Sequence, residues 1–146
     1  MPKLSTGLRN HLLGTDDFIA GLNGGVIRYY SGTVPATADD ALSGNVLLNV
    51  ISNNAAGTGI SFDATPINGV ISKNPAEVWR GQNVANGVAS FFRFSSLTDV
   101  GGASTTEKRL QGTIGTVGAD LNLSSTTMVS GNYRTIDSFN IAQPTA

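Results

Sequence analysis

The chain has 146 residues, the length of a single domain, with only 13% charged residues and a formal net charge of −1. Its nine Lys and Arg are spread thinly, so no basic patch marks nucleic-acid binding, and the lack of cysteine excludes disulfides and thiolate metal sites. Gly, Ser, Thr and Asn together supply 60 of the residues, a weakly charged mixture that favours strands and turns over helix interiors.

The opening "MPKLSTGLRNHLLG" lacks the continuous apolar stretch of a signal peptide, and no later segment reaches transmembrane length. The expectation is a protein made without Sec export and without a membrane partner. Ser5 or Thr6 can cap a helix that carries Leu8, Leu12 and Leu13 on one face. A second, shorter helix is expected from Thr15, with Asp16 and Asp17 favourably placed at its N-terminus and Phe18, Ile19 and Leu22 as its apolar side. Asn23-Gly24-Gly25 then stops it. Residues 1–24 thus read as an N-terminal helical arm, and residues 25–146 as a β-domain.

The β-signals begin with "VIRYY" and run at once into "SGTVPATADDALSG". The loop 32–44 is long for a hairpin connection, and loops of that length are commonly functional. Pro35, Asp39 and Asp40 stand within it. Further strands are expected at 46–52, 59–62, 70–73, 76–80, 88–94, 110–114, 119–123, 126–129 and 133–141, after the first at 26–30. Asn68-Gly69, Asn86-Gly87 and Gly131-Asn132 read as tight turns between them. In "VGADLNLS", Val117, Ala119, Leu121 and Leu123 alternate with Asp120 and Asn122, the pattern of a half-buried strand. "VASFFRF" and Trp79 supply large side chains for a core. Many short strands without interleaved helices indicate a sandwich or barrel, and the expectation is a mainly β chain, an antiparallel β-sandwich with a short helical N-terminal arm.

Catalytic chemistry finds little footing. His11 is the sole histidine and lies in an amphipathic helix, where surface or packing roles prevail; without a second His or any Cys, a transition-metal site would rest on carboxylates almost alone. The acidic residues match no calcium loop, Asp16-Asp17 has a capping role, and Asp39-Asp40 has a turn role. "GTIGTVG" has the spacing of neither a dinucleotide fingerprint nor a P-loop and reads as a flexible link or bulged turn. "STTE" at 104–107 fits a capping box, and "NLS" at 122–124 matches a glycosylation sequon by chance. No catalytic residue, metal ligand or cofactor is expected. Trp79, Tyr29 and Tyr30 can stack on sugars when exposed, although strand aromatics more commonly serve core burial.

A strand ending in Tyr, the "SGTVPATADDALSG" loop, the apolar "VLLNVIS", the segment "AEVWRGQNVANGVASFFRF" and the tail "GTVGADLNLSSTTMVSGNYRTIDSFNI" occur in this order along nearly the whole chain. Together they resemble a group of small virion structural proteins of tailed bacteriophages, and in particular the jelly-roll class of head decoration or cement proteins. That resemblance implies a non-enzymatic protein on the outside of the phage head, made in the host cytoplasm. It implies the major capsid protein as partner and self-association as a dimer or trimer. Within that frame, Leu4, Leu8, Leu12 and Leu13 of the arm form a patch able to dock on a capsid subunit or a second protomer, or else to cover one open end of the sandwich, and the loop 32–44, with Pro35, Asp39 and Asp40, is expected to project from the body as a contact surface. The alternatives are a tail or baseplate component and a carbohydrate-binding β-sandwich module.

Overall fold

The computed structural model describes residues 1–145. Strands take 35% of the residues and helices 10%, so the chain is mainly β, a β-sandwich-like antiparallel fold with a short helical arm. Helix α1 spans Thr6–Gly14 and starts as expected at Ser5, whose hydroxyl accepts the Leu8 amide proton at 3.1 Å. Helix α2 spans Phe18–Leu22, capped by Asp17, whose carboxylate accepts the Ala20 amide proton at 2.8 Å.

The strands are β1 Lys3–Leu4, β2 Val26–Tyr30, β3 Leu47–Asn53, β4 Val70–Ser72, β5 Trp79–Gln82, β6 Gly87–Val88, β7 Phe91–Ser95, β8 Leu110–Gly115, β9 Leu121–Asn122, β10 Thr127–Met128, β11 Tyr133–Ile136 and β12 Asn140–Ala142. The main sheet runs β1-β8-β7-β2-β3-β5-β11, with β9 beside β1 on β8; β10 pairs with β6, and β12 with β4. Every pairing is antiparallel except β8 with β9.

Several expectations need correction, each for a pairing reason. The expected strand 88–94 divides into β6 and β7 because the first pairs with β10 and the second with β2 and β8. The expected strand 133–141 divides into β11 and β12, which pair with β5 and β4. Residues 59–62 form only single bridges, at Ile60 and Phe62. Asn68-Gly69 is a tight turn, with φ of 51° and 76° and an Ile67–Val70 bridge. Asn86-Gly87 is not, because Gly87 is already in β6. The third turn is centred on Ser130-Gly131, with the Asn132 amide on the Val129 carbonyl at 3.1 Å. In "VGADLNLS", Leu121 is buried, but Val117 stands exposed in the turn before β9, so the alternation does not extend across the segment. The arm packs on the β-domain. Its β1 belongs to the main sheet, and Leu8 and Leu22 join the core of the β-domain.

One face of the sheet closes over Ile27, Tyr29, Phe92, Phe94, Leu110 and Ile114. Phe62, Trp79, Phe92, Phe94 and Phe139 meet there with ring centroids 5.5–6.3 Å apart, largely edge to face. The Trp79 Nε1–H donates to Glu77 at 2.9 Å, so even this fully enclosed indole has its polar atom matched. Each such side chain contributes about 1.5–3 kcal/mol on full burial. Along β7 the alternate residues Phe91 and Arg93 face the other way and are buried as well. A second layer therefore covers the outer face.

Candidate functional site

That second layer is the loop after β2. Gly32 and Gly44, with φ of 88° and 69°, bend the chain at its two ends. The neck is closed by Ser31 N–H on the Val46 carbonyl (3.0 Å) and by the Asn45 side-chain amide on the Ser31 and Thr33 carbonyls (both 2.9 Å). The body then folds flat over the outer face of β7 and β8 instead of projecting.

What pins it is a set of buried polar side chains. Arg93 donates from Nε to Gln111 Oε1 and from Nη2 to the Asp40 carbonyl, each at 2.8 Å. Gln111 in turn donates to the Pro35 carbonyl at 2.9 Å. Arg109 forms a two-pronged ion pair with Asp99, both contacts 2.7 Å, and reaches the Ala38 carbonyl at 3.1 Å and the Gly102 carbonyl at 2.7 Å. The side chains of this pair are 1% and 4% exposed. Burial by itself would raise the Asp99 pKa, but the Arg109 guanidinium and the Gly101 amide outweigh it and hold the carboxyl below its ordinary value. For Arg93, burial first and the neighbouring Arg109 second push the pKa down. The adjacent Tyr30, stacked on Phe91 at 5.2 Å, is pushed up by burial.

The same loop holds the arm. Asp39 accepts the Thr6 amide proton at 2.8 Å and the Thr6 hydroxyl at 2.6 Å, at the N-terminus of α1. Burial opposes ionisation of Asp39, yet the two Thr6 hydrogen bonds, helped by Arg9 and Arg109, keep its pKa below the ordinary value. Lys3 reaches the Ala36 carbonyl at 2.7 Å. Ser5 bonds to the Glu107 carbonyl (2.6 Å) and the Arg109 amide (2.9 Å). Arm, loop and outer sheet face form one cross-braced platform.

The expected contact residues divide accordingly. Leu8 is enclosed in the protein's own core, so it is unavailable to a partner. Leu4 and Leu12 are half-buried and pack against that core. Leu13 alone is turned out to solvent, 87% exposed. Pro35 and Asp39 are half-buried and committed through the Pro35 carbonyl and the Asp39 carboxylate to the brace. Asp40 is exposed, its carboxylate accepting the Thr37 amide proton at 2.7 Å while its carbonyl anchors Arg93. The expectation of a projecting loop is thus corrected. The chain length between β2 and β3 is spent covering buried arginines.

Beside the arm, Leu12, Phe18, Ile19, Ile71 and Ile141 wall a groove of about 390 Å³ with Asp16 and Asp17 among its lining residues. The His11 ring packs over Gly21 with its Nε2 buried and unpaired, a packing position. Trp79, Tyr29 and Tyr30 are all buried, so they present no stacking face to a sugar. Among the described residues, no cluster of three or more His, Asp or Glu is placed to hold a metal ion, and no helix is long and apolar enough to cross a membrane. The residues that sequence reasoning missed are Arg93, Asp99, Arg109 and Gln111. The signal for the first was present: in "FFRF" Arg93 shares its strand face with Phe91, so that face too carries a large apolar side chain and points to burial on both sides of the strand. Comparison with family profiles, characterised proteins and solved structures yields no significant match.

Proposed function

We propose that this chain is a non-enzymatic virion structural protein of the tailed-bacteriophage decoration class, seated on the outside of the capsid and bridging major capsid protein subunits, as the sequence resemblance to the jelly-roll cement proteins implies. The observation that supports it most directly is the platform formed by the arm, the loop 32–44 and the outer sheet face. Arg93, Asp99 and Arg109 are turned inward there, Lys3, Arg9 and Asp40 stay exposed, and Leu13 is left at the outer side of α1. A cement protein must resist distortion while it spans neighbours. A sandwich braced by buried arginine contacts suits that task, because such contacts are geometrically exacting. Recognition on this reading is apolar and polar, with the arm against a capsid subunit or a second protomer in a dimer or trimer.

The test is to mix the purified protein with heads lacking it, sediment, and count copies per particle. Saturation at a fixed stoichiometry, with heads that withstand greater heat, is the expected result. Recovery with purified tails and not heads would reassign it to the tail.

A further inference from the structure

The main sheet does not close on itself. One end is β8, which carries β1 and β9 side by side along its outer edge; the other end is β11. Residues of β9 and β11 nevertheless line a common groove. One groove, of about 390 Å³, lies between residues 121–124 and 133–138. A second, of about 470 Å³, is lined by residues 120–122 and 138–142. Leu121, Asn122 and Ser138 belong to both, so the two form one continuous seam.

The register fixes where the backbone groups on its rims point. Asn83 N–H donates to the Asn132 carbonyl at 2.7 Å, and Arg134 stands opposite Gly81. Successive residues of an antiparallel strand direct their N–H and C=O to opposite sides. Asn132 and Arg134 therefore face β5, and Tyr133 and Thr135 present theirs to the seam. On the other rim, Leu123 N–H donates to the Gly115 carbonyl at 2.8 Å, in a parallel ladder that sets Leu121 opposite Ile114. Asn122, between them, directs its N–H and C=O into the seam. Among the described residues, no hydrogen bond reaches these edge groups. Leu121, Ile136 and Phe139, all buried, put the apolar core directly beneath. Protein sheets ordinarily protect such edges, because an unpaired edge is a template for another strand.

We propose that this seam is a strand-acceptor site, in which an extended segment of a separate protein inserts between β9 and β11 and hydrogen-bonds to both rims. Such a segment carries small aliphatic side chains at alternate positions toward Leu121 and Ile136, and polar ones outward. A basic residue suits the position beside Asp137, which is exposed and outside both ion pairs of the described residues. A second copy of this chain is the less favoured donor. Residues 3–4 are already paired with β8 and 140–142 with β4, so a copy would have to give up one of its own pairings to donate a terminal strand. A segment from another protein gives up nothing of this fold. The proposal does not depend on the decoration reading: particle binding tests that one, and the following experiment needs no particle.

The probe is a capped heptapeptide alternating threonine and valine with a terminal lysine, titrated into the full chain while backbone amides are followed by NMR and hydrogen exchange. Shifts are expected at Asn122, Tyr133 and Thr135, with exchange at these amides slowed about tenfold. The same peptide N-methylated at alternate residues is expected to give neither effect. Thr135→Pro, which removes only an outward N–H and spares the ladder to β5, is expected to weaken binding while the other amide signals keep their positions. Absence of shifts at millimolar peptide, or shifts confined to the groove beside Leu12, would overturn the proposal. Concentration-dependent self-association that Thr135→Pro abolishes would also overturn it, by assigning the seam to a second copy.

Discussion

Removing the Asp99 carboxylate is the sharpest test of the brace. Arg109 stays where it is in Asp99→Ala, because its Nη1 and Nη2 still hold the Ala38 and Gly102 carbonyls at 3.1 and 2.7 Å. What disappears is the counter-charge on a guanidinium that is 1% exposed, together with two 2.7 Å hydrogen bonds. Breaking a buried pair from one side costs about 3–5 kcal/mol, whereas an exposed pair is worth about 0–1 kcal/mol, so the two cases are well separated. With a urea slope of about 1.5 kcal/mol per molar, the denaturation midpoint should fall by about 2–3 M. The double variant Asp99→Ala with Arg109→Met removes the stranded charge and leaves the buried Ala38 carbonyl short of a donor, at a cost of about 1–3 kcal/mol, while the Gly102 carbonyl, on an exposed residue, is open to water. It is therefore expected to be more stable than Asp99→Ala alone. A single variant that loses less than about 1 kcal/mol, or a double variant less stable than the single, would refute the claim that this pair is desolvated and coupled.

Gly81→Ala should destabilise by about 1–3 kcal/mol in the same urea assay, since an added Cβ would stand 2.1 Å from the Val50 carbonyl oxygen and 2.2 Å from Asn49 Oδ1; an unchanged midpoint would contradict that packing. Asp39, Glu77, Asp99 and Asp120 all have folded pKa values below their ordinary 3.8 (Asp) or 4.5 (Glu), so their contribution is complete above those values and is lost as pH falls through the depressed folded ones. The urea midpoint is thus expected to hold between about pH 5 and 7 and to drop below about pH 4; a midpoint that rises on acidification would reverse the sign. Leu13→Asp should change stability by no more than about 0.5 kcal/mol and yet abolish sedimentation with heads; full binding by this variant would remove the arm from the interface. Binding to heads is expected to change less than about threefold between roughly 50 and 300 mM salt, measured by the same sedimentation, and a steep fall would show that charges carry recognition.

Local patterns were legible wherever one segment decides its own structure. Ser5 and Asp17 cap their helices because a side-chain acceptor beside free amides needs nothing from the rest of the chain. The turn at Asn68-Gly69 is equally local, as is the strand "VIRYY", which forms at residues 26–30. What failed depended on partners far away in sequence. Nothing in "NGVASFFRF" tells that its first residues pair with β10 and its last with β2 and β8. The two-residue β1 exists only because β8 offers an edge. The loop 32–44 misled for a related reason. Its small residues and Pro35 look like surface, but its role comes from main-chain carbonyls, which every sequence has and none advertises. Pro35, Ala36, Ala38 and Asp40 each give one to a cation or amide from a distant segment.

The scarcity of charge takes on a different meaning once the fold is known. Arg93, Asp99 and Arg109 are buried, and Asp39, Glu77 and Asp120 are each tied by hydrogen bonds to a neighbouring segment. The few ionic groups thus act largely as internal fasteners, and the surface carries Ser, Thr, Asn, backbone edges, isolated apolar side chains such as Leu13 and a sparse scatter of charges that includes Lys3, Arg9, Asp40 and Asp137. Such a surface has little means of attracting a partner over distance. It can still hold one at contact, through an apolar patch or through backbone pairing along an open edge. Affinity from these sources depends on shape and register, and both require that the presenting surface not deform. A buried arginine brace beneath an unremarkable loop supplies that stiffness, so the internal placement of charge and the sparsely charged exterior answer a single requirement.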